Sequence, residues 1–149
     1  MKPLLICAAF TGTAFANPLP LIPEPVSVTP GEGAFPFSAT TAIRYDRSLK
    51  SEADLFAADL KALTGTAPQS ATEEQRIHFA SEIRLDIDSG ADLPESGYKL
   101  EITPQSVVVT GKDAAGVFFG TRSILQLLPA IGDPAWKDDV PENLPSVGI

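Results

Sequence analysis

The clearest signal along the chain is a change of hydrophobic period. Ile83, Leu85 and Ile87 alternate with Arg84, Asp86 and Asp88, a period of two that predicts a half-buried strand. Tyr98, Leu100 and Ile102 alternate with Lys99, Glu101 and Thr103 in the same way. Pro104-Gln105 then turns the chain and Val107-Val108-Val109 returns it, which predicts a hairpin. Elsewhere the period lengthens. Phe56, Leu60 and Leu63 fall at i, i+4 and i+7, one stripe of a helix expected over about 52–64. Ser51-Glu52-Ala53-Asp54 offers a cap at its start, and Gly65 a left-handed stop. Asp113 can cap a second helix along which Val117, Ile124 and Leu128 share a face, with Phe118 and Leu125 beside them and Pro129 at its end.

The earlier pieces are shorter. Val26–Thr29 reads as a strand followed by a turn at Pro30-Gly31-Glu32-Gly33. Phe35 and Phe37 alternate with Pro36 and Ser38, and Ala42–Tyr45 is a further strand candidate. Residues 66–75 read as a polar loop, and Arg76–Phe79 as a possible short strand. The order of strands, helix, strands, helix, with hairpin connections, predicts an α+β fold: an antiparallel or mixed sheet with two helices packed on one face.

The first sixteen residues stand apart. Met1-Lys2 gives a positive start, Leu4–Phe10 a short apolar run, and Ala14-Phe15-Ala16 the small-x-small pattern that signal peptidase reads. The expected organisation is a signal peptide at 1–16, a domain at 17–131, and a connecting segment at 132–149. That last segment is rich in Pro, Asp and Gly and holds the only tryptophan, Trp136. Export to a periplasm or the medium follows as an expectation. Cys7 after Leu4-Leu5-Ile6 hints at lipidation, but it comes too early and follows a bulky Ile6. Cys7 is also the only cysteine, so a processed chain has no thiol to pair, and packing alone must hold the fold.

Charge narrows the function. The 149 residues carry a net charge of −8, and losing Lys2 with the leader makes it −9. Such a chain is poorly suited to a phosphate backbone, whose binding depends on cationic side chains. No apolar run approaches the roughly 20 residues that cross a bilayer, and a (β/α)₈ barrel of about 250 residues does not fit.

Motif by motif, chemistry is mostly missing. Asp86-x-Asp88-x-Gly90-x-Asp92 suggests a calcium loop, but its twelfth position is Gly97 where a bidentate Glu is needed. Gly111-Lys112-Asp113 has an acid where a phosphate loop has a hydroxyl. His78 is the lone histidine and lacks a partner set for catalysis or metal binding. The serines lack the Gly-x-Ser-x-Gly context. Gly116-x-x-x-Gly120 reads as close packing of helix on sheet. Asp138-Asp139 is a loop pair whose neighbouring side chains point apart, not two carboxylates facing a sugar. No catalytic, metal-binding or cofactor-binding residue is expected, and no cofactor.

A resemblance adds what spacing does not. Gly97–Thr103, Val107–Gly111, Asp113–Gly120 and Ser123–Pro129 together closely resemble the end of the small N-terminal domain of β-N-acetylhexosaminidases of glycoside hydrolase family 20. Ile22–Val26, Gly31-x-Gly33-x-Phe35 and Leu60-x-x-Leu63-Thr64-Gly65 are similar to earlier parts of that domain. The resemblance implies a zincin-like α+β domain without catalytic residues. It also implies a (β/α)₈ barrel C-terminal to it as partner, carrying an Asp-Glu pair that removes terminal N-acetylhexosamine from glycans. Leu144–Ile149 resembles the lead into the first barrel strand. Two other readings remain open at this point: a stand-alone exported binding module, and the same domain joined to a different polysaccharide hydrolase.

Overall fold

The computed structural model describes residues 21–37, 40–128 and 143–148. Seven strands and two helices follow one another as β1 (Thr29–Pro36), β2 (Ala42–Tyr45), α1 (Lys50–Thr64), β3 (Ser70–Thr72), β4 (Glu82–Ile87), β5 (Tyr98–Ile102), β6 (Val107–Gly111), α2 (Ala114–Leu127) and β7 (Asn143–Gly148). The strands form one mixed sheet in the order β1-β7-β5-β6-β4-β2-β3. β3, β2, β4 and β6 run parallel, while β5 is antiparallel to both β6 and β7, and β7 to β1.

The register explains the core. Ile43, Ile83, Val107 and Ile102 are successive partners across β2, β4, β6 and β5, and so are Tyr45, Leu85, Val109 and Leu100. All eight are buried. They make two apolar rows on one side of the pleat, which Phe56 and Leu60 of α1 and Val117 and Ile124 of α2 join to form a single core. The α+β sandwich expected from the pattern is what forms, with both helices against this face.

The other face is polar and carries its own partners. Arg44 pairs with Glu82 at 2.9 Å, Arg84 with Asp86 and Glu73 at 3.0 Å each, and Lys99 with Glu101 at 2.9 Å. Arg44 also donates to the carbonyls of Gln75 and Ile77, so it fastens the β3–β4 connector to this side of the sheet.

Several local expectations change. Ser51 caps nothing. Asp46 instead accepts from the Ser48 amide at 2.8 Å and starts a 3₁₀ turn, Arg47–Leu49, that runs directly into α1. The helix therefore begins two residues before the expected start. Gly65 does stop it, at φ 77°, with its N–H on the Lys61 carbonyl. The turn expected at Pro30–Gly33 lies inside β1, where an irregularity between Pro30 and Ala34 takes up the glycines. Arg76–Phe79 is not a strand; of its backbone carbonyls, that of Ile77 accepts from Arg44. The strand is Ser70–Thr72, where only Ala71 is buried. Residues 143–148, expected within a connecting segment, form β7 and slot between β1 and β5.

The start of α2 is held tightly. Asp113 accepts from the Gly116 amide at 2.8 Å and from the Ser96 amide at 2.9 Å, which pins the β4–β5 connector to the helix. A Cβ on Gly116 would stand 2.2 Å from the Gly97 carbonyl oxygen, and one on Gly120 would stand 2.4 Å from Val109 Cγ1. The two glycines thus permit the approach expected of them.

Candidate functional site

In sheets with parallel strands, ligands gather beyond the C-terminal ends of those strands. Here a shallow cleft of about 360 Å³ opens at the ends of β2, β4 and β6, lined by Asp46, Glu73, Arg84, Asp86, Ile87, Asp88 and Thr110. Four carboxylates around one guanidinium invite a catalytic reading, and the bonding answers it. Asp46 accepts from the Ser48 hydroxyl and amide, which hold its carboxyl below the usual range. Glu73 and Asp86 both bind Arg84. Asp88 closes a turn onto the Gly90 amide at 2.9 Å. Partial burial of Arg84 favours its neutral form, but Asp86 and Glu73 outweigh it and hold the guanidinium above its ordinary value. Glycoside hydrolysis needs one carboxyl kept protonated by its surroundings opposite an ionised one. In this cleft the four acids are instead already engaged, Asp46 and Asp88 in turn hydrogen bonds and Glu73 and Asp86 with Arg84.

The remaining candidates disperse. Asp86 faces Arg84 while Asp88 serves the turn, and among the described residues no three His, Cys, Asp or Glu side chains gather as metal ligands. Lys112 donates to the Ala91 carbonyl at 2.6 Å and Asp113 caps α2, so the Gly111-Lys112-Asp113 run is structural. His78 is exposed on the β3–β4 connector. Cys7, Trp136, Asp138 and Asp139 lie outside the described residues.

A second surface was not singled out from the sequence. The solvent side of the helical layer carries Leu55, 45% exposed, and Phe119, 47% exposed. Ala58, Ala62 and Ala115 are exposed beside them on the same helices. Phe119 meets Phe118 edge-on at 5.6 Å, and Arg122 lies over the Phe118 ring at 4.8 Å while pairing with Asp59 across the two helices. The sequence did hold a clue. Leu55-Phe56 and Phe118-Phe119 are adjacent apolar pairs, and at 100° per residue one member of each pair must turn away from the core.

The profile of glycosyl hydrolase family 20, domain 2, matches residues 19–147. A β-hexosaminidase from Porphyromonas gingivalis is 32% identical over 130 residues, 87% of this chain and 16% of that protein. A lacto-N-biosidase from Bifidobacterium bifidum is 31% identical over 107 residues, 72% of this chain and 10% of that one. Among solved structures, the N-acetyl-β-hexosaminidase of Streptomyces plicatus superposes with a TM-score of 0.68 at 31% identity, covering 89% of this chain and 26% of its own. The chain thus spans about a sixth or less of the length of the two relatives. The fold and the matched span agree: the chain belongs to glycosyl hydrolase family 20, as the non-catalytic N-terminal domain of the β-hexosaminidase type.

Proposed function

We propose that this chain is the supporting, non-catalytic part of an exported β-N-acetylhexosaminidase, seated against a (β/α)₈ catalytic barrel that follows it in a longer polypeptide. The single observation that carries this is the contrast between its two faces, read with its family. The sheet face pairs Arg44, Arg84 and Lys99 with carboxylates of its own, whereas the helical face presents Leu55, Phe119 and three alanines to solvent. An apolar face of this kind is what a neighbouring domain covers. In this reading glycans are bound and cleaved only by the barrel, with no cofactor, and residues 1–16 direct export. The stretch 129–142 and β7 lead toward the barrel.

Two measurements test the proposal. The purified 149-residue chain should release no chromophore from an aryl N-acetylglucosaminide, while the longer polypeptide should. Turnover by the short chain, or a longer polypeptide without the barrel, overturns it. In the longer polypeptide Phe119→Asp should lower the midpoint at which activity is lost on heating, because a charge would be buried at the seat. An unchanged midpoint would remove the helical face from that role. The similarity to a lacto-N-biosidase supports a second reading of the substrate alone: the same supporting domain joined to a barrel of the lacto-N-biosidase type. A panel of aryl glycosides separates the two.

A further inference from the structure

We draw no further inference here: the strongest candidate, the open cleft of Asp46, Glu73, Arg84, Asp86 and Asp88 at the C-terminal ends of β2 and β4, is a carboxylate cluster whose members already hold Arg84 or neighbouring amides, and nothing else in the structure points to a ligand there.

Discussion

Gly116→Ala sets two physical effects against each other. Inside an exposed helix the change stabilises by about 1 kcal/mol, because glycine is the poorer helix former. Here the added methyl would stand 2.2 Å from the Gly97 oxygen and 3.0 Å from its carbonyl carbon. An ordinary carbon–oxygen contact is about 3.3 Å or more, so helix and connector must part by roughly 1 Å. Gly97 has little room to recede. Its oxygen accepts from the Lys112 amide and its N–H donates to the Pro94 carbonyl, both at 2.9 Å. Overpacking against a backbone that cannot rotate away costs ~1–3 kcal/mol or more, and it also strains the bonds that Asp113 makes to Ser96 and Gly116. Sterics therefore outweigh propensity. We expect a loss of about 1–2 kcal/mol, read as a lower urea midpoint at unchanged slope. Gly120→Ala should be milder, since its obstacle at 2.4 Å is a Val109 methyl and not backbone. Gly90→Ala, in a loop where the nearest atom is Asp88 Oδ1 at 3.3 Å, should move stability by no more than ~0.5 kcal/mol. A Gly116→Ala protein as stable as the parent or more so would refute the argument.

Asp113→Ala should destabilise the domain and flatten its stability below about pH 4. The backbone amides of Gly116 and Ser96 depress the Asp113 carboxyl in the folded state, so its contribution is complete above the unfolded carboxyl range and is lost as pH falls through the folded value; an unchanged acid limb in urea titrations at pH 2–5 would count against this. Tyr98→Phe removes the 2.6 Å bond between Tyr98 and Ser123 that ties sheet to helix, and should lower stability by about 0.5–1.5 kcal/mol in the same assay. Leu55→Ser with Phe119→Ser should reduce hydrophobic-dye fluorescence of the short chain without lowering its urea midpoint, because neither side chain is in the core. Equal fluorescence would show that the dye binds elsewhere.

The parts of the fold legible in the sequence were those where periodicity meets a buried face. Leu100, Ile102, Val107 and Val109 alternate because they fill one side of a hairpin, and Asp113 could be read as a cap because the run behind it has helical spacing. Strand β3 was not legible, since Ser70-Ala71-Thr72 offers a single buried alanine and owes its pairing to β2. Nor was the start of α1, where Ser51 has the right chemistry but Asp46 wins by nucleating a turn one step earlier. The parallel arrangement of β3, β2, β4 and β6 leaves no local mark, because it depends on which strand α1 returns the chain beside. At the cleft, the alternation of Arg84 and Asp86 with Ile83, Leu85 and Ile87 marked a polar strand face, but the Arg84 bridge to Glu73 spans eleven residues and needed the fold to appear.

Among the described residues, β1 is hydrogen-bonded to no strand except β7, which lies more than a hundred positions later in the chain. During synthesis the stretch around Phe35 must therefore wait, unpaired at its edge, until Asn143–Gly148 has emerged. A gene shortened to end at 131 would make a sheet with β5 at its margin and the first strand homeless. Anyone trimming this domain for expression should keep the last strand, since the leading one has nowhere else to go.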